Sequence, residues 1–79
     1  MEMMVGEKIR VVTLFTKGKI KPILFKWQNL IHKILRVDFS YSKTVGREKI
    51  FYFTVETERG VFGLSFNREK FSWNLEKIF

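Results

Sequence analysis

The stretch that most constrains the fold is residues 21–41, where apolar and aromatic side chains crowd two arms on either side of Gln28 and Asn29. Asn29 tolerates the positive φ of a tight turn, and Pro22 suits the start of an edge strand because it has no backbone N–H. These features predict a β-hairpin. The same arms are strongly basic, and their cations are Lys21, Lys26, Lys33 and Arg36.

The chain length of 79 residues predicts one domain over residues 1–79 with a single compact core. A hydrophobic content of 46% and an aromatic content of 16% supply large side chains for that core and favour a folded domain over disorder. Cysteine is absent, which excludes disulfides and thiolate metal sites. Side-chain packing must therefore hold the core.

Alternation of apolar and polar residues predicts strands along most of the chain. The predicted strands cover residues 7–16, 19–27, 30–41, 48–57 and 61–66, with the longest loop at residues 42–47. The first strand is apolar on both faces, so we expect it to be central or covered on both sides. Lys17-Gly18 supplies a hairpin turn, and Gly63 marks a bulge or a close backbone approach.

The third predicted strand changes its apolar parity along its length. A β-bulge near Leu35 and Arg36 would let Ile34 and Val37 point the same way, as where a strand bends round a barrel corner. Residues 68–79 fit two interpretations. The side chains of Phe71, Trp73 and Leu75 share a face at strand period, whereas Phe71, Leu75 and Ile78 would also form a helical stripe.

The predicted fold class is all-β, a small antiparallel meander of five or six strands rolled into a barrel or half-barrel. Rolling the meander hides its edges and encloses one aromatic core. The alternative is an open sheet with a short C-terminal helix.

The net charge of +7 lies entirely in the first half of the chain, since residues 1–50 hold eleven Lys or Arg against four acids. A localised positive field attracts polyanions, and proteins that bind single-stranded nucleic acid on a β-surface combine cations with exposed rings. The candidate nucleic-acid-binding residues are Lys19, Lys21, Lys26, Lys33, Arg36, Lys43, Arg47 and Tyr41. Tyr52 is the alternative stacking ring. The competing interpretation is a solvated charged surface that serves solubility.

Catalytic patterns are missing from the sequence, so we expect a protein that is not an enzyme. His32 is the single histidine and has no cysteine or acidic cluster beside it, which argues against a metal site and favours a structural role. No phosphate-binding loop or paired carboxylates stand out, and we expect no cofactor or small-molecule substrate. The acidic N-terminus predicts a cytoplasmic protein, and charges interrupt every apolar run, so no membrane association is expected.

Phe25-x-Trp27, a turn, and then Ile34, Val37 and Tyr41 resemble a pattern found in short bacterial domains of unknown function. That pattern is F-x-W-x-G-R-x-Y-x-V-x-x-V-x-x-x-W. The resemblance spans residues 20–76 and includes a turn ending in Gly60 and a closing Trp73-x-Leu75-Glu76.

This chain departs from the pattern at three places: Asn29-Leu30 stands for Gly-Arg, His32 for the first Tyr, and Tyr41 for Trp. The resemblance implies a β-fold with spaced core aromatics and no known activity. Because some of those domains are attached to or encoded near DNA-repair polymerase components, it also implies such a context as a candidate.

The sequence therefore predicts a non-enzymatic binding module with nucleic acid as the first ligand class. The alternative is an interaction module that pairs with a protein, or with a second copy of itself, through an exposed strand edge or apolar patch. A nucleic-acid binder should show a continuous positive patch with an exposed ring. A protein-binding module should show an uncovered edge.

Overall fold

The computed structural model describes residues 2–79 and shows an all-β protein. Its antiparallel strands form one sheet, which is strongly curled into a half-barrel, in the order β3-β2-β1-β7-β6-β5-β4. The strands are β1 (Met3–Thr16), β2 (Lys19–Trp27), β3 (Leu30–Lys33), β4 (Arg36–Val45), β5 (Glu48–Thr57), β6 (Gly60–Asn67) and β7 (Ser72–Ile78). The predicted antiparallel meander and its curling are confirmed, with seven strands in residues 2–79 where five or six were predicted. Pairing of β1 with β7 brings the two ends of the chain together.

The bounds of β2 and β5 match the predicted strands. β1 is longer than predicted, and the prediction of a loop at residues 42–47 is wrong. β1 begins at Met3 because Gly6, at φ 69°, absorbs a register shift against β7. β4 continues through Val45, so the chain turns only at Gly46 and Arg47. Lys17-Gly18 turns as predicted, with φ positive at both residues.

The C-terminal segment is a strand, which excludes the alternative with a helix there. Trp73 and Leu75 are buried, as strand period requires, and Leu75 lies opposite Leu64 of β6. Phe71 packs edge-on against the buried ring of Phe66 (5.4 Å) but lies outside the strand. It precedes β7 with a φ of 51° and is 69% exposed.

The predicted third strand is divided into β3 and β4, and the break lies at Ile34 and Leu35. The Ile34 N–H donates to the Ile23 carbonyl of β2 (3.0 Å), and the next N–H, of Leu35, donates to the Glu56 carbonyl of β5 (2.8 Å). The chain thus changes its partner strand within two residues. Ile34 packs against the core, and Val37 lies opposite the buried Val55, so these two side chains point the same way as expected, although Val37 stays 37% exposed at the sheet edge.

The residues of β2 explain why this change occurs. Extending the register of β2 and β3 would place Leu35 opposite Pro22 and Arg36 opposite Lys21. Two cations facing each other repel. Pairing with β2 therefore ends, while Arg36 finds Glu56 opposite it on β5.

The core lies inside the curl and is built from large side chains of four strands, β2, β5, β6 and β7. Its buried residues are Phe25, Phe53, Val55, Phe62, Leu64, Phe66, Trp73 and Leu75. β1 is central in the sheet as predicted, but it is not covered on both faces, since Val12 and Leu14 are exposed.

Gly63 shows both predicted features. The β6–β7 register shifts there, and a Cβ at this position would lie 3.0 Å from the Cγ of Lys77. No helix in residues 2–79 is long and apolar enough to cross a membrane.

Replacing Leu75 with alanine should lower the free energy of unfolding by about 2 to 5 kcal/mol, because the fully buried side chain leaves a cavity. The matched control is Val12→Ala on the exposed face of β1, which should cost less than about 0.5 kcal/mol. Urea titration followed by tryptophan fluorescence measures both. Equal losses would show that the inward and outward faces are misassigned.

Candidate nucleic-acid interface

Strand parity places a set of cations on the outer face of β1, β2 and β3. Ile9, Val11 and Phe25 point inward to the core, so Lys8, Arg10 and Lys26 point outward. The register of β1 and β2 shifts at Ile23, which turns Pro22 and Ile20 inward and therefore Lys19 and Lys21 outward. Arg10 lies directly opposite Lys26. We call the outward set the cationic face: Lys8, Arg10, Lys19, Lys21, Lys26 and Lys33.

All six side chains of the cationic face are exposed, and within residues 2–79 none of them forms an ion pair. The nearest acid in sequence, Glu7, accepts a hydrogen bond from the Trp27 indole N–H (2.6 Å). Exposed aliphatic side chains of Val12, Leu14 and Ile31 lie among the cations. The face therefore presents uncompensated positive charge to solvent.

The structure gathers four of the predicted binding residues on this face: Lys19, Lys21, Lys26 and Lys33. Lys8 and Arg10 complete it and were missing from the predicted set. The period-two alternation in residues 8–12 was the signal that assigned both to the outer side of β1.

Arg36 has a different environment from the other predicted cations. Its guanidinium donates to Asp38 (2.6 Å) and to Glu56 (2.8 Å). The hydrogen bond to Asp38, with the negative charges of both carboxylates, raises the pKa of Arg36 above its ordinary value. Because both partners are acids, Arg36 is locally neutralised and contributes little free charge for phosphate.

Three aromatic side chains line up on the outer face of β4 and β5, and we call them the ring ladder: Phe39, Tyr41 and Tyr52. Tyr41 lies opposite Tyr52, with centroids 4.9 Å apart and ring planes at 13°. The ring of Phe39 lies 5.6 Å from that of Tyr41 at a tilt of 43°, and Lys43 lies 5.2 Å from the centroid of Tyr52.

The ring ladder changes which ring is available for stacking. Tyr41 is stacked on Tyr52 and has Phe39 as a second aromatic neighbour, whereas Phe39 ends the ladder and is 60% exposed. Phe39 was not among the predicted rings, although its parity with Tyr41 was visible in the sequence. The remaining predicted cation, Arg47, lies exposed in the turn between β4 and β5.

Between β2 and β4 the half-barrel is open, and we call this opening the seam: residues 19–22 of β2 and 38–45 of β4. No strand pairing joins these segments in the described residues. A cavity of about 360 Å³ lies in the seam, lined by Lys19 and Ile20 on one side, Tyr41 on the other, and Phe51 and Phe53 beneath. The seam thus brings the end of the cationic face next to the ring ladder.

His32 is buried among aromatic rings, as its predicted structural role requires. It stacks on Phe25 (4.8 Å, 9°) and meets the edge of Phe62 (5.2 Å). Neither ring nitrogen has a hydrogen-bond partner. Burial, followed by the positive charge of Arg59, lowers the pKa of His32 below 6.5, and the Trp27 backbone offsets only part of this.

Within residues 2–79, no group of three His, Asp or Glu side chains is placed to hold a metal ion. Comparisons of the chain with protein-family models, with curated proteins and with solved structures give no match. The geometry of the residues is therefore the basis for any functional proposal.

Acidification should destabilise the fold through His32. The unfolded chain takes up a proton near pH 6.5, but the folded chain resists it because its pKa is lower. The contribution of neutral His32 to the free energy of unfolding is therefore fully present above pH 6.5. As the pH drops below 6.5, this contribution decreases by up to about 1.4 kcal/mol per pH unit, until the pKa of His32 in the folded chain is reached.

Melting temperatures at pH 7.5 and pH 5.5 measure this effect. The matched variant is His32→Phe, which keeps a ring against Phe25 and Phe62 but cannot titrate. It should lose most of the difference between the two pH values. A variant as acid-sensitive as the wild type would mean that another group takes up the proton.

Proposed function

We propose that this protein binds single-stranded nucleic acid, with phosphates along the cationic face and an unpaired base on Phe39. The observation that carries the proposal is the cationic face itself, six exposed cations without an ion pair in the described chain. Neutralising phosphates releases condensed counterions, which is the main source of affinity in such binding.

The ring ladder favours a single strand over a duplex. Stacking on an aromatic side chain requires a base that is not already stacked and paired. Because Lys19 and Tyr41 line the same cavity, phosphates held on β2 would lie close enough for a neighbouring base to reach the rings. Val12, Leu14 and Ile31 add apolar contacts between the cations.

Removing two cations should change both affinity and its salt dependence. If all six cations contact phosphates, log K should fall with log salt at a slope of about −4 for a single strand. In Arg10→Gln/Lys26→Gln the slope should become shallower by about 1.4, because two contacts are lost. Fluorescence anisotropy of a labelled oligothymidylate at several salt concentrations measures the slope.

The matched control is Arg68→Gln/Lys70→Gln, which removes the same net charge from the turn between β6 and β7. Both of those side chains already have acidic neighbours, Glu69 and Glu48. The control should therefore bind like the wild type. An equal loss of affinity in both variants would show that binding depends only on net charge and not on the cationic face. If the wild type does not bind the oligonucleotide even at low salt, the proposal is overturned.

Phe39→Ala should weaken binding of single strands by about 1 to 3 kcal/mol, because a stacked base is lost. Duplex DNA of the same length is the control ligand, and its affinity should change by less than a factor of two. Anisotropy titrations of the variant with both ligands make the comparison. An equal effect on the two ligands would show that Phe39 does not contact an unpaired base.

A further inference from the structure

The open edge of β4 is an unused pairing surface. All ten residues of β4 are exposed, and its side away from β5 has no partner strand in residues 2–79. From Phe39 to Val45 the pairing with β5 is regular, without a bulge or proline that would prevent another strand from adding. Proteins usually protect long edges of this kind.

The inward side of the seam is unusually small and polar. Ser40 and Ser42 lie opposite Phe53 and Phe51, so they occupy positions that face into the barrel. Serine side chains are too short to cover these rings, and the cavity of about 360 Å³ remains above Ile20, Phe51 and Phe53. Apolar side chains from another strand would fill this space and bury the rings.

We propose that the seam binds an extended peptide in which apolar and acidic residues alternate, and that this peptide pairs with β4 as an added strand. Its apolar side chains would point inward onto Ile20, Phe51 and Phe53. Its acidic side chains would point outward, where Lys19 and Lys21 flank one side of the seam and Lys43 the other. This proposal goes beyond nucleic-acid binding, with which it shares Lys19 and Lys21 of the cationic face.

The charges on the seam select an acidic peptide over a second copy of the chain. Both margins of the seam carry lysines, and each copy has a net charge of +7. The β4 edge of a second copy would bring Lys43 and the inward-facing Ser40 and Ser42, which neither neutralise the margins nor fill the cavity. A nucleic acid lacks the regular N–H and C=O groups that pair with a strand edge.

One end of the seam offers an additional apolar contact. A second cavity of about 330 Å³ continues past Ile20 and Phe51 to Phe15 and Phe71. The rings of Phe15 and Phe71 stack at 5.5 Å, and Phe71 holds a φ of 51° while it is largely exposed. A large apolar residue at one end of the peptide would cover this pair.

The test uses a fluorescein-labelled nine-residue peptide that alternates glutamate with valine and phenylalanine. Three peptides serve as controls: one of the same composition with the acidic and apolar residues in separate blocks, one with lysine for glutamate, and one with N-methylated amides along one edge. The alternating peptide should bind at least tenfold more tightly than each control. Equal binding of the alternating and block peptides would overturn strand addition, and so would unchanged binding after N-methylation.

Two protein variants then locate the peptide and separate it from nucleic acid. Ser42→Trp fills the cavity from β4 and should weaken the peptide at least tenfold, with folding checked by circular dichroism. Arg10→Gln/Lys26→Gln should weaken the oligonucleotide and leave the peptide within threefold. If only Arg10→Gln/Lys26→Gln weakened peptide binding, the peptide would not bind in the seam, whatever the result for the oligonucleotide.

The molecular mass in solution tests whether a second copy of the chain occupies the seam. We expect the wild-type protein to be monomeric by light scattering without peptide. A dimer that Ser42→Trp converts to a monomer would show that a second copy occupies the seam, which would overturn the proposed peptide.

Discussion

The architecture depends on two successive backbone N–H groups that donate in different directions. Ile34 donates back to Ile23 of β2, and Leu35 donates across to Glu56 of β5. This change of partner joins the two halves of the sheet, and the Arg59 guanidinium supports it by donating to the Ile31 carbonyl (3.1 Å). β4 then pairs with β5, and residues 19–22 of β2 are left without a partner on the side away from β1. One local event therefore produces both the closure at one end and the seam at the other.

The distribution of acids explains why positive charge accumulates on β1, β2 and β3. Residues 3–33 contain one acid, Glu7, and it bonds to Trp27 instead of a cation. Most of the other acids are engaged in local contacts elsewhere, and these are Glu2 with Lys77, Asp38 and Glu56 with Arg36, Glu48 with Lys70, Glu69 with Arg68, and Glu76 with Ser65. The field is thus arranged by the fold and is strongest where cations lack such partners.

Local pattern was sufficient for the fold class and for strands with simple alternation. Residues 48–57 alternate cleanly and have hairpin partners on both sides, so their strand was predicted correctly. The division of the third strand required knowledge of a distant neighbour, because Glu56 determines where Arg36 pairs. The exposure of Val12 and Leu14 likewise depends on a second layer that the fold does not provide.

The candidate site, like the fold, could be predicted only in part from local sequence pattern. Period-two alternation assigned the lysines to strands, but only the register reveals that Arg10 faces Lys26, or that acids neutralise Arg36. The availability of a ring also depends on its neighbours across the sheet. Tyr41 is an aromatic residue of the kind that stacks on bases, yet its ring already stacks on Tyr52 and contacts Phe39.

Amide hydrogen exchange measured by NMR tests the central claim, a half-barrel closed at Ile34 and Leu35 and open along the seam. The account predicts slow exchange for those two amides and for β5 and β6. In residues 39–45, amides that point toward β5 should be protected, and the alternate amides that point into the seam should exchange almost as fast as in an unfolded chain. Uniform protection along residues 39–45, or fast exchange at Ile34 and Leu35, would contradict the account.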